Sequence, residues 1–391
     1  MRILHLAPFL QGGAGRAITE LALEQHRAGH DVRVVASDTA PAGYGNYPAY
    51  LDRLAAAGVP VRLVDSLFDR RHSVNLAVVE ALEEIYAPGD EPDVLHAHAA
   101  IPGLVALVFA GARRVRPSIV QTMHGWGVTK TLEQTATDVS VLNLVDRVIV
   151  PSRASADTLI ALGVAPARLS VIPYGIGPAL SEPEDRDRIL LAEMAERRRQ
   201  GALVVAAIGT LSARKRQTLI VDAIARVRRT PVFLVVVGDG DDTELRAAID
   251  RGQADPLVRV HGYSAAARQI AAAADVLVLA SESEGQPLSI LEAFADGTVP
   301  LVSDIPELCE LVDDGETGFR TASGQPDALA RALERIHRLS GPARRAITAR
   351  ARRRFERDFT LEIMVARYEV AYQVGAGAST PVRRRKVRRA A

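Results

Sequence analysis

Lysine is nearly missing. Only Lys130, Lys215 and Lys386 occur, so 45 of the 48 basic residues are arginine. Cysteine is scarcer still. A single residue, Cys309, excludes an internal disulfide and any cysteine metal cluster, which fits a reducing compartment. Aromatic residues make up 4% of the chain, with one tryptophan. No apolar run reaches the roughly 18 residues that a membrane-spanning helix needs; the best, 101–110, is too short. The N-terminal MRILHLAPFL enters a strand-like run with no long apolar segment, so no signal peptide is expected. Formal charge is +1, which gives no global field for nucleic acid. A cytoplasmic protein is the expectation.

What is present is alternation. Hydrophobic residues are 48% of 391, enough for two or three sizeable cores. Short β-branched runs at 2–6, 32–36, 59–63, 94–96, 119–123, 148–150 and 170–172 alternate with Ala/Leu/Arg stretches of helical period. The pattern breaks in a Pro/Gly-rich stretch, 173–184, followed by a charged stretch of helical character, 185–200, and restarts at Leu203 with runs at 204–208, 232–237, 258–260, 276–279 and 300–302. Strand–helix–strand repetition means an α/β fold with parallel sheets. Two doubly wound units are expected, with ligands beyond the carboxyl ends of the strands and the site in an interdomain cleft. The tail VRRRKVRR, 382–389, is either a solvated end or a contact for anionic lipid.

The chemistry should lie in the strand-end loops. Residues 281–297 read SESEGQPLSILEAFADG: a strand ends at Glu284, turns, and opens a helix carrying Glu292. Two carboxylates with the backbone N–H groups of Gln286, Leu288 and Ser289, on either side of Pro287, suit a polyhydroxylated ligand that also bears phosphate. Gly209-Thr210 with Arg214-Lys215-Arg216 opens the next helix with three cations, an anion site in prospect. Gly12-Gly13-Ala14-Gly15-Arg16 after the first strand allows backbone amides to approach a phosphate or sugar, but it is not GxGxxG. Gly238-Asp239-Gly240 reads as a strand-to-helix turn with a weak phosphate-loop signal, and His261-Gly262-Tyr263 as either a plain turn or a source of backbone contacts to a base. His124, beside Gly125 and Gly127, can reach a substrate hydroxyl or a developing charge. In His96-Ala97-His98 one imidazole is expected inside and the other outside, and a metal site would need more ligands than the sequence offers.

Together these residues resemble the GT-B retaining glycosyltransferases of the family 4 (group 1) kind, over nearly the whole chain. Glu284 to Glu292 is similar to the E-x7-E motif, EGxPxSLLEA. Gly209-Thr210-Leu211-Ser212 with Lys215 is similar to GRLSxxKG, Gly12 to Arg16 to GGxxR, Thr122-Met123-His124-Gly125 to TxHG, Val171 to Gly175 to VIPNG, and Asp314 to Gly318 to DGxTG. The resemblance implies two Rossmann-like domains facing across a cleft: an N-terminal acceptor domain, 1–178, to which a helix at 356–375 crosses back; a linker, 179–202; a donor domain, 203–355; and a basic tail, 376–391. It implies a nucleoside-diphosphate sugar as donor, no bound metal and no resident cofactor. A carbohydrate or lipid-linked acceptor is expected. By position, Lys215 would grip the diphosphate, Glu292 the ribose, Glu284 the transferred sugar, His124 the reacting centre, and Gly13 the phosphates. Gly262 would be donor-binding, and Arg16 would face the acceptor. The motif arginine is Thr210 here, with Arg214 its substitute, and the glycine after the lysine is Arg216. The rival readings are a nucleotide-sugar epimerase or NAD oxidoreductase on a related scaffold, and a non-catalytic nucleotide- or glycan-binding protein.

Overall fold

The structure, a computed structural model, describes residues 1–41, 43–86, 91–127, 130–179 and 181–376, and the basic tail at 382–389 lies outside them. The chain divides into two compact units. Unit 1 comprises Met1–Val150, Thr158–Ile172 and the chain from Val365 onward; unit 2 comprises Pro151–Asp157 and Pro173–Met364.

Unit 1 is built on seven strands: β1 (Arg2–Ala7), β2 (Asp31–Ser37), β3 (Val61–Val64), β4 (Val94–Ala97), β5 (Ser118–Thr122), β6 (Arg147–Val150) and β7 (Leu169–Val171). Their order is β3-β2-β1-β4-β5-β6-β7, and every neighbouring pair is parallel. Unit 2 has six: β8 (Leu203–Ile208), β9 (Val232–Val237), β10 (Val258–Gly262), β11 (Val276–Leu279), β12 (Val299–Ser303) and β13 (Phe319–Thr321). They run β10-β9-β8-β11-β12-β13, again all parallel. Parallel strands are covered by helices on both faces and so read as unbroken apolar runs. Accordingly Val232–Val237 and Val276–Leu279 are buried at every position. The order reverses between β1 and β4 in one sheet and between β8 and β11 in the other, and such switch points open a crevice past the strand ends.

Three features depart from the sequence expectations. The stretch read as a linker, 179–202, clusters with unit 2, while its helix Asp185–Arg199 lies where the charged stretch 185–200 reads as helical. The helix Leu132–Leu144 shows little amphipathic pattern, but its capping box is plain: Thr131 accepts from the Gln134 amide and Gln134 returns the bond. β13 is three residues long, too short to show a period.

Where the chain enters unit 2 and where it leaves run side by side. The Ile176 amide donates to the Phe359 carbonyl at 3.1 Å. A side chain at Gly175 would put its Cβ 2.1 Å from the Thr360 oxygen, so the crossing tolerates no larger residue there. The DGxTG turn is also structural: Gly315 has φ 74° and donates to the Gly318 carbonyl at 2.8 Å.

Candidate active site

In unit 2 the loops after the two switch strands, β8 and β11, carry opposite charges. After β8 the chain turns through Gly209, whose φ of 138° suits glycine. Gln217 holds this turn from within: its Nε2 donates to the Thr210 carbonyl at 3.0 Å and its Oε1 accepts from the Ser212 amide at 3.4 Å. Two further loops are layered against it. The Gly238 amide donates to the Gly262 carbonyl at 3.0 Å, and the Leu211 amide donates to Asp239 at 2.7 Å. A Cβ on Gly238 would stand 2.0 Å from the Gly209 oxygen. Gly262 has φ 79° with open space where its Cβ would be.

The three cations precede the helix Gln217–Ile224 rather than opening it. Arg216 is its N-cap at φ 52°, the left-handed region, which explains why glycine suits this place. Its guanidinium reaches Glu282 at 3.1 Å and Ser323 at 3.2 Å. Lys215 Nζ stands 2.6 Å from Glu284 Oε1, and Arg214 stands 3.4 Å from Glu284 Oε2 while donating to the Ser283 carbonyl at 2.6 Å. The Glu284 side chain is 6% exposed and that of Lys215 14%, so water screens this pair little. Glu307 approaches from the side. Burial pushes its carboxyl above the usual range, and the charges of Glu284 and Glu310 add to the effect.

Past Glu284 the chain passes Gln286 and Pro287 and opens the helix Leu288–Asp296. Gln286 is buried, and its Oε1 accepts from the Tyr174 amide at 2.6 Å. Its Nε2 has no partner among the described residues. Ser289 lies in the first turn and Glu292, buried, in the second.

Unit 1 holds Gly12, Gly13, Arg16 and His124. Gly12 (φ 56°) starts the helix Gly12–Arg27, and its carbonyl accepts from the Tyr50 hydroxyl at 3.1 Å. Gly13 is exposed at the first turn. A Cβ on Gly15 would meet the Leu10 carbonyl carbon at 2.4 Å, so only glycine brings this helix start so close to the strand-end loop. Arg16 donates to buried Glu20 at 2.8 Å.

His124 follows β5 at the edge of a buried imidazole cluster. His98 Nδ1 lies 3.1 Å from His124 Nε2, and His98 Nε2 lies 2.9 Å from His5 Nδ1. His5 Nε2 meets Gln25 Oε1 at 2.8 Å. His96 contacts the Tyr372 hydroxyl through Nδ1 at 2.7 Å and Thr122 Oγ1 through Nε2 at 2.7 Å. Both His96 and His98 are therefore inside, which corrects the expectation that one faces out. Strand alternation puts side chains on opposite faces, but here β4 lies between β1 and β5 in a covered sheet. Desolvation lowers the pKa of His5 and of His124 to about 4, and those of His96 and His98 fall well below 6.5 for the same reason. All four imidazoles are neutral at pH 7. Nitrogens of His5, His96 and His98 lie within 4.8 Å of one another, as a metal site would need. Yet all six ring nitrogens of these residues already have hydrogen-bond partners. Sequence reasoning missed His5, Gln25, Gln217 and Glu307. For His5 the available signal was its place on the first strand beside the motif loop.

Comparison with known proteins accounts for both units. The Glycosyltransferase Family 4 model matches residues 11–180, and the model described as Glycosyl transferases group 1 matches 202–338. The chain is 26% identical over 415 residues to the D-inositol 3-phosphate glycosyltransferase of Mycobacterium marinum, covering 98% of this chain and 87% of that one. It is also 26% identical over 355 residues to the GDP-mannose-dependent alpha-mannosyltransferase of Mycobacterium tuberculosis, covering 87% and 89%. Among solved structures it resembles Anabaena HepE in complex with UDP and glucose, with TM-score 0.80, 20% identity, and 95% and 99% coverage. The two family models together span more than three quarters of the sequence. The chain belongs to the family 4, group 1 glycosyltransferases and has their GT-B fold of two parallel-sheet Rossmann-like units.

Proposed function

We propose that this glycosyltransferase moves a sugar from a nucleoside-diphosphate donor to an acceptor hydroxyl with retention of anomeric configuration. The observation that carries this reading is the Lys215–Glu284–Arg214 constellation at the switch point of unit 2. Two cations beside amide-rich loops suit a diphosphate, and a carboxylate between them suits a sugar hydroxyl. The relatives support the donor class by their names: one acts with GDP-mannose, and the Anabaena structure holds UDP.

In this reading Lys215 and Arg214 turn toward the diphosphate and stabilise the charge that grows as the glycosyl–phosphate bond breaks. Gly209 and Thr210 lend the turn beneath them. Gly262 supports that turn, and Gln286, Pro287, Leu288 and Ser289 shape the loop along the donor. Glu292 holds the ribose. In unit 1, Gly12 and Gly13 meet the phosphates, His124 accepts from a donor-sugar hydroxyl, and Arg16 contacts the acceptor. The departing phosphate oxygen takes the acceptor's proton while the acceptor oxygen bonds to the anomeric carbon on the same face. Glu284 is a poor nucleophile for the rival covalent route, because two cations already hold its oxygens. Positive charge from side chains serves in place of a metal, and no resident cofactor is required. The acceptor is a carbohydrate, a lipid-linked glycan or a polyol. The enzyme works in the cytoplasm, and residues 382–389 give it a contact with anionic membrane. Among the described residues no helix is long and apolar enough to cross one.

A thermal-shift panel tests this: UDP-, GDP-, ADP- and dTDP-sugars and NAD, each with and without EDTA, on wild type and Glu292→Ala. One nucleotide sugar should stabilise the wild type in EDTA by about 2.7 kcal/mol at 100 times its Kd, and the variant should lose the effect. A response to NAD alone, or to none, sinks the reading. With the donor in hand, Lys215→Ala should lower kcat by about 10²–10³.

A further inference from the structure

The hydrogen bonds of the imidazole cluster have a direction, and one side chain sets it. The Gln25 carboxamide is fully buried. Its oxygen faces His5 Nε2 at 2.8 Å, and its NH2 donates to the Tyr372 hydroxyl at 3.0 Å. A carbonyl oxygen only accepts, so His5 carries its proton on Nε2. A neutral ring with a proton on Nε2 accepts at Nδ1, so His98 must donate from Nε2 across the 2.9 Å contact. His98 then accepts at Nδ1, and His124 must donate from Nε2 across 3.1 Å. Three rings are thus locked in one tautomer from a single amide.

The second branch follows the same amide. Tyr372 receives the NH2, so its hydroxyl donates to His96 Nδ1 at 2.7 Å. His96 carries its proton on Nε2 and gives it to Thr122 Oγ1 at 2.7 Å, 3.1 Å from the Tyr368 hydroxyl. A turned-over carboxamide would reverse both branches at once. The cluster also works against a cation. One nitrogen from each of His5, His96 and His98 would have to leave its present partner.

We propose that Gln25 is a positioning residue that fixes His124 as the Nε2–H tautomer, with Nδ1 as its acceptor nitrogen. Low pKa values along the chain agree, since a neutral ring is what a directed relay needs. The tautomer stands on the geometry of unit 1 alone. Its use, an acceptor presented to a donor-sugar hydroxyl, rests on the function proposed above.

The experiment is a long-range ¹H–¹⁵N spectrum of histidine-labelled protein at pH 7.5, with His124 assigned through the peak lost in His124→Asn. Wild type should show His124 protonated at Nε2, and purified protein should hold no stoichiometric metal. Gln25→Met should leave the melting transition cooperative and convert His124 to a mixture of tautomers. Gln25→Glu, with its buried carboxyl protonated, should restore the wild-type pattern, because the carbonyl oxygen accepts from His5 Nε2 and the hydroxyl donates to Tyr372 in place of the amide NH2. With the donor from the thermal panel, kcat should fall about 10-fold in Gln25→Met and recover in Gln25→Glu, with donor KM changed less than 2-fold. A wild-type His124 protonated at Nδ1, a bound metal at one per chain, or a Gln25→Met spectrum identical to wild type overturns the proposal, and the metal content is read without any variant folding. If the tautomers behave as stated and no sugar is transferred, the function fails and the assignment stands.

Discussion

Arg216 occupies a backbone conformation that costs a residue with a Cβ about 1–2 kcal/mol relative to glycine. Its guanidinium contacts with Glu282 and Ser323 offset part of that. Two substitutions separate these effects. Arg216→Ala loses the contacts and keeps the strain, whereas Arg216→Gly loses the contacts and relieves it. Urea unfolding should therefore rank Arg216→Gly above Arg216→Ala by about 1 kcal/mol. Equal stabilities would mean that the left-handed cap does not persist in solution. At this scale the sequence was informative about Lys215, Glu284 and Arg214, because scarce charges at strand-end loops stand out against apolar strands. It was silent on Gln25, whose partner Tyr372 lies 347 positions away. Nothing local marks a glutamine on a helix as the head of a hydrogen-bond chain.

The β8 loop keeps its shape because three glycine-bearing loops are stacked without side chains between them. Gly238→Ala should push its Cβ into the Gly209 carbonyl, 2.0 Å away, and tilt the turn that carries Lys215. Donor KM should rise about 10-fold or more, since small misplacements of charged groups cost heavily. Gly262→Ala supplies the comparison: its Cβ meets nothing within 4 Å, so it adds backbone strain without a clash. It should lower the melting temperature and change donor KM less than Gly238→Ala does. Element types were legible where the apolar period was long, as in β8 and β9. They were not legible for β13, which is three residues long, or for the helix Leu132–Leu144, whose polar and apolar residues are mixed. The motif glycines were visible in the sequence. What each one touches was not, because contact between Gly238 and Gly209 requires β8 and β9 to be neighbours.

For the molecule as a whole, the buried histidines set a pH limit. His5 and His124 have folded-state values of about 4 against an ordinary value of 6.5. Between those two limits the unfolded chain takes up protons that the folded chain refuses, so stability is full above pH 6.5 and falls as pH drops toward 4. Each such histidine contributes a slope of up to about 1.4 kcal/mol per pH unit. His96 and His98 shift in the same direction. The melting temperature should decline from pH 6.5 to 5, where most carboxylates are still ionised, and His98→Gln should flatten the decline. A flat wild-type profile over that window would mean the cluster is wet.

Tyr368 and Tyr372 lie on the helix Leu361–Ala376, yet they close the polar network around His96 in unit 1. A ribosome therefore delivers the strands of unit 1 long before it delivers the residues that complete their core. Residues 173–364 come in between, which at usual synthesis rates takes on the order of ten to forty seconds. During that interval His96 on β4 lacks the tyrosine hydroxyls that complete its network. Among the described residues, the last to be made are the ones that complete the core of the first strands.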